Sequence, residues 1–302
     1  RTFTVPTADS TVAPAADSTV RRIYVQATDE GGMASVPAVR SWVVRPPTIG
    51  GGAPRLLIID DVPATNTLNF RTDTLWVNGA VRNLAAGSWS ILRLEFTQPF
   101  RSPKDAGQTF ANYDAVIWYR GTNTTFSTVL RDVQDGIGAA LDAGTSVLIE
   151  GVNLAGNNLP TGPLRADFLS QYFATDYLYK HFAAGMADSS IAWGVQIGAV
   201  FRTGPVIPTD TLRIQQNRGG MHGFAVPDTG EVLLWARAGV MSQAHDFDIP
   251  VAIAVPQTSG ATASIVSLPV VETSPPGPGG TFPQRATAFV NNVFVHVLGL
   301  VP

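Results

Sequence analysis

Three short, uninterrupted apolar runs, each closed by a charged residue, constrain this chain more than any other feature. They are Leu56-Leu57-Ile58-Ile59-Asp60-Asp61, Ala115-Val116-Ile117-Trp118-Tyr119-Arg120 and Val147-Leu148-Ile149-Glu150. Runs of this length without polar alternation fit strands buried on both faces, as in a parallel sheet covered by helices. Ser90-Ile91-Leu92-Arg93-Leu94-Glu95-Phe96 is a further candidate strand. Ser127 is placed to cap a helix over residues 128–143, in which Val129, Val133, Ile137 and Leu141 recur every fourth position before Gly144 stops it. This β–α alternation predicts an α/β domain with a mainly parallel sheet and flanking helices. Downstream, a helix is expected over residues 164–182 and strands over 192–201, 231–237, 251–255 and 263–271. A Pro/Gly excursion follows at 274–280, and a closing helix at 284–299 carries Phe289, Val293, His296 and Val297.

The first 45 residues have a different period. Ile23, Val25 and Ala27 alternate with polar neighbours, Glu30-Gly31-Gly32 signals a turn, and Val39-Arg40-Ser41-Trp42-Val43-Val44 reads as the next strand. Ala8-Asp9-Ser10-Thr11-Val12 recurs as Ala16-Asp17-Ser18-Thr19-Val20, too short a repeat for a solenoid. Prolines and a glycine run at 46–54 suit neither a helix nor a central strand and mark a linker. The expected organisation is therefore a β-segment at 1–45, the linker at 46–54 and the α/β domain at 55–302.

Composition removes several chemistries. With no cysteine there is no thiolate nucleophile, disulfide or cysteine-based metal site. A net charge of −3 supplies no basic stripe for nucleic acid, and no apolar run approaches the roughly 20 residues of a membrane span. Charged residues make up only 14% of the chain, and the bases are almost all arginine. That balance, rich in Thr, Ser, Gly and Pro, is expected of a secreted or cell-surface protein. Arg1 opens a polar stretch without the look of a signal peptide, so an exported chain would carry its signal upstream or have lost it.

Ile23-Tyr24-Val25-Gln26-Ala27-Thr28-Asp29-Glu30-Gly31-Gly32-Met33-Ala34-Ser35, with Arg40-Ser41-Trp42-Val43-Val44, resembles the last strands of bacterial Ig-like or fibronectin type III modules. A full sandwich needs about seven strands, so the resemblance implies a partial module, either a fragment of a longer chain or one completed by a neighbouring subunit. Residues 54–300 resemble the flavodoxin-like, class I glutamine amidotransferase-like domain of large secreted bacterial proteins. The match is carried by the Leu56–Asp61 run, Tyr113-Asp114-Ala115-Val116-Ile117-Trp118, Leu141-Asp142-Ala143-Gly144-Thr145-Ser146-Val147-Leu148-Ile149-Glu150-Gly151, Phe168-Leu169-Ser170-Gln171-Tyr172-Phe173 and Val266-Ser267-Leu268-Pro269-Val270-Val271-Glu272. A working amidotransferase places a cysteine in the turn after a core strand. The turn here is Glu150-Gly151-Val152-Asn153, without a cysteine and without a Gly-x-Ser-x-Gly elbow. The resemblance implies the fold and carries no catalytic residue over.

Asp60, Asp61, Arg120 and Glu150 fall at the expected carboxyl ends of three strands, the edge where open α/β sheets bind ligands. As a constellation the acids offer a site for a divalent cation such as calcium, or a general acid and base. Alternatively they cap loops and pair with Arg120 as framework. His181, His222, His245 and His296 have no metal-ligand spacing. No glycine-rich loop matches a nucleotide-binding pattern, so no cofactor is expected. Trp42, Trp76, Trp89, Trp118, Trp193 and Trp235 are expected in cores and interfaces, with sugar stacking as the alternative. The expected function is a non-catalytic extracellular structural or interaction protein whose partners are other protein chains, including copies of itself. The alternative is a hydrolase, or a hydrolase-associated domain, that uses the acidic cluster.

Overall fold

The structure is a computed structural model. It describes residues 19–28, 31–36, 38–44, 54–63, 65–66, 69–94, 100, 102–123, 127–154, 162–175, 193–195, 200–203, 212–213, 218–221, 223–225, 227–236, 249–268, 270 and 284–301. The chain divides into two compact units, Arg1–Gly51 and Gly52–Pro302.

In the first unit β1 (Thr19–Val25) pairs antiparallel with β2 (Ala38–Val44), in register from Thr19↔Val44 to Val25↔Ala38. Ser35 closes the connecting loop: its amide donates to Ala27 O at 2.7 Å, and its Oγ accepts from Ala27 N at 3.0 Å. Gly32 supplies the positive φ of the turn, +82°. Relative to the alternation read from sequence, β1 starts earlier and stops at Val25. The repeat at 8–12 and most of its copy at 16–20 lie outside the described residues.

The second unit is an α/β fold. In chain order come β3 (Leu56–Asp60), α1 (Asn69–Asn83), β4 (Trp89–Arg93), α2 (Pro103–Phe110), β5 (Ala115–Tyr119), α3 (Thr128–Asp132), α4 (Gln134–Asp142), β6 (Ser146–Glu150) and α5 (Ala166–Phe173). After them come β7 (Trp193–Val195), β8 (Val200–Thr203), β9 (Leu212–Arg213), β10 (Arg218–Met221), β11 (Glu231–Ala236), β12 (Ile249–Pro256), β13 (Thr262–Val266), α6 (Gln284–Asn292) and a π-helical turn at Val293–Val297. Among the described residues the main sheet has nine strands in the order β4-β3-β5-β6-β13-β12-β11-β8-β9. The first five are parallel. The other four join antiparallel, so the expected mostly parallel sheet carries an antiparallel extension. Among the described residues β7 pairs with β10 in a separate two-stranded sheet.

Every residue of β3, β5 and β6 is buried, as uninterrupted apolar runs require when both faces are covered. One face packs under α1, α6 and the π-turn through Leu75, Trp76, Ala80, Phe289 and Phe294. The other packs under α2, α4 and α5 through Phe110, Ile137, Leu141, Phe168 and Phe173. Trp76 and Trp118 are wholly inside these layers and offer no sugar platform.

Three expected helices are shorter or broken. The helix over 128–143 kinks at Val133 (φ −97°, ψ 3°). There Gln134 Nε2 donates to Leu130 O at 3.3 Å, the carbonyl that a regular ladder assigns to the Gln134 amide. The helix expected over 164–182 ends at Phe173, where Ala174 turns left-handed at φ 44°; 176–182 lie outside the described residues. The closing helix changes to a π-turn at Val293. The strand expected over 192–201 is two pieces in two different sheets. The excursion at 274–280 lies outside the described residues.

Candidate functional site

The parallel strands place β3 and β5 at the position where the chain order of the sheet reverses, β4 lying to one side of β3 and β5 to the other. In open α/β sheets the crevice beyond the carboxyl ends at such a reversal is the preferred ligand position. Asp60 and Asp61 end β3 there, Tyr119 and Arg120 end β5, and Glu150 ends β6. The register pairs Asp60↔Tyr119 and Tyr119↔Glu150 put these three side chains on one face of the sheet.

Asp61, one residue on, is turned the other way. Its Oδ2 accepts from Trp118 Nε1 at 3.1 Å and from Arg120 Nε at 3.1 Å. The sequence therefore brings the acids to one edge without bringing them together. Among the described residues no group of three or more His, Cys, Asp or Glu side chains is placed to hold a metal ion. The alternation of side chains across the strand turns Asp61 away from the face that carries Asp60 and Glu150.

Arg120 and Glu150 at this edge are both engaged within the chain. Arg120 has 0% exposure; beyond Asp61 it reaches Val152 O at 3.5 Å. Burial lowers its pKa while Asp61 and Glu150 work to raise it. Glu150, equally buried, accepts from Val270 N at 2.8 Å and from Gly121 N at 3.2 Å. Burial nevertheless pushes its carboxyl up to about 7 against these donors. Backbone bonds stitch the same edge: Asp61 N to Tyr119 O, Arg120 N to Glu150 O and Gly151 N to Val266 O lie between 2.8 and 3.0 Å. Asn123 Nδ2 adds a bond to Asp61 O at 2.9 Å.

The turn after β6 runs Gly151-Val152-Asn153. Gly151 has φ +143°, and a Cβ there would sit 2.8 Å from Arg120 Cβ. Asn153 follows in the left-handed region at φ 51°, one of two non-glycine residues with positive φ among the described residues. No hydroxyl or thiol is present in this turn.

On the face of Asp60 the structure adds three residues that sequence reasoning passed over. Arg93 at the end of β4 approaches Asp60 Oδ2 with its Nε at 3.6 Å and donates Nη2 to Asp73 Oδ2 at 3.1 Å. The Tyr119 hydroxyl donates to Asp73 Oδ1. Asp73 sits in α1, a helix the sequence reading did not recognise, so nothing in the pattern tied it to β3. Of the histidines, His296 is exposed on the π-turn, and His181, His222 and His245 lie outside the described residues.

No family model matches the chain, and no curated protein matches it. Among solved structures it is similar to the exo-beta-1,4-mannosidase Op5Man5 from Opitutaceae bacterium strain TAV5, at 13% identity and a TM-score of 0.40. That likeness covers 73% of this chain and 32% of the mannosidase, so the chain spans about a third of that protein's length. Nothing about the chemistry of this chain follows from a likeness of that size. No described helix is long and apolar enough to cross a membrane.

Proposed function

We propose that the chain is a non-catalytic structural or interaction protein of the cell surface or the secreted fraction, working through contacts with other protein chains, copies of itself included. The observation that carries this reading is the state of the carboxyl edge. Asp61, Arg120 and Glu150 are all engaged with partners inside the chain, and the turn at Gly151–Asn153 holds no nucleophile. Numbered by their order along the chain, the five parallel strands run 2-1-3-4-5, the order of flavodoxin-like sheets. That order supports a degenerate amidotransferase-like domain. The β1/β2 hairpin supports an Ig-like end, since an isolated two-stranded hairpin is at best marginally stable and gains from further strands.

Light scattering on the whole chain over a concentration series tests the interaction half, with assembly beyond the monomer expected. Turnover on ester, amide and glycoside substrates tests the non-catalytic half, with background rates expected. A monomer at every concentration that also turns over one of these substrates contradicts the reading.

One observation favours the hydrolase alternative: Asp60, pushed up to about 7 by burial and by Asp73, has the ionisation of a general acid beside the half-exposed Arg93. That alternative requires turnover that disappears in Asp60→Asn while the melting temperature holds.

A further inference from the structure

Asp60 is fastened to the framework through only one of its carboxyl oxygens. Oδ1 accepts the Val62 amide at 2.9 Å, whereas Oδ2 is buried and no hydrogen-bond donor reaches it. Arg93 Nε stands 3.6 Å from Oδ2, and the Nη2 of the same guanidinium is spent on Asp73 Oδ2 at 3.1 Å. One arginine thus spans a carboxyl on β3 and a carboxyl on α1. Asp73 is supplied on both oxygens, by Arg93 and by the Tyr119 hydroxyl. Two carboxylates gathered at one half-exposed guanidinium leave an excess negative charge beside the buried Asp60, which favours its protonated form. A proton on Asp60 Oδ2 removes the excess charge and turns the orphaned acceptor into a donor facing Asp73.

We propose that Asp60 holds a proton facing Asp73, and that this contact is a latch fastening the first half of α1 to the carboxyl end of β3, which loosens when the proton is lost. The mechanics follow from the two elements. β3 is hydrogen-bonded on both sides, to β4 and to β5, and cannot give way. α1 is held by side-chain packing; among its described side chains the apolar anchors Leu75, Trp76 and Ala80 lie beyond Asp73, and Thr72 is buried just before it. Repulsion between the ionised carboxyls therefore acts on α1 at Asp73, in its first half. The titratable groups that act on Asp60 are Asp73 from α1 and Arg93 from β4. Tyr119 from β5 is pushed up by burial and by Asp60 and stays a neutral donor. Glu150 shares the face from β6, tied to Val270 and Gly121, and Asp61 is turned away toward Arg120.

Hydrogen exchange of the whole chain, compared at about pH 5.5 and about pH 8.5 after correction for intrinsic exchange, tests the latch. The α1 amides should lose protection by on the order of tenfold relative to those of α4 at the higher pH. Asp60→Asn, a neutral donor in the place of the protonated acid, should abolish that difference, and Asp73→Asn should do the same. Glu150→Gln should leave it intact. Equal changes in α1 and α4 of the unaltered chain overturn the proposal even if the substituted chains do not fold. A full α1 response in folded Asp60→Asn overturns it as well.

Discussion

Arg120 shows how a residue that reads as functional becomes framework. It ends an apolar strand beside acids, the pattern of a binding site, yet the turn after β6 closes over it at Gly151 and leaves it no solvent. Breaking a buried ion pair by removing one partner typically costs about 3–5 kcal/mol. Arg120→Met keeps much of the stem volume and strips the charge, and a loss in that range is expected from urea unfolding. Glu150→Gln removes a carboxyl held near 7, and one of its two amide partners then faces an NH2 group. A modest destabilisation is expected below neutral pH, read from the thermal midpoint. The positions of Asp60, Asp61, Arg120 and Glu150 at strand ends were legible in the sequence because each closes an apolar run. Alternation along the strand already separates Asp60 from Asp61, but that Glu150 and Tyr119 share the face of Asp60 depends on register, and the contacts with Asp73, Arg93 and Val270 join residues distant along the chain.

At the scale of elements, the strands that the sequence marked most clearly are those buried on both faces, where composition alone separates them from loops. α1 was missed because polar residues and Gly79 break its apolar stripe. Gly79 is there for a neighbour: a Cβ would meet Val290 Cγ1 at 2.5 Å. α2 is eight residues long and recognisable mainly by its start, where Ser102 accepts from Asp105 N at 3.2 Å ahead of Pro103. The antiparallel half was legible as strands but not as an extension of the same sheet, because pairing partners leave no local signal. α2 and α4 approach each other through Gly107 and Gly136, where a Cβ on Gly136 would lie 2.2 Å from Pro103 O. Gly136→Ala gains about 1 kcal/mol of helix propensity. Against backbone atoms the clash prevails, and a net loss of roughly 1–3 kcal/mol is expected from denaturant unfolding.

For the whole molecule, two buried carboxyls with raised pKa values set the direction of the pH dependence. The folded forms of Asp60 and Glu150 hold protons up to about 7, whereas their ordinary values are 3.8 and 4.5. Between those limits the folded state binds more protons than the unfolded one, so this contribution is full at acid pH and is lost as pH rises through neutrality. The midpoint of urea unfolding should fall from about pH 5 to about pH 8, and the fall should shrink in Asp60→Asn and in Glu150→Gln. A chain that used these acids for catalysis would instead show the same pH range in its turnover.

The charges at the carboxyl edge, Asp61 and Arg120 foremost, are bound to one another inside the fold. A double-mutant cycle of Asp61→Asn and Arg120→Met, followed by equilibrium urea unfolding, measures this most directly. The account predicts that each change alone is strongly destabilising and that the pair together costs less than the sum, by about 0.5–3 kcal/mol. Additive effects that each stay within about 0.5 kcal/mol of the unaltered chain would contradict it.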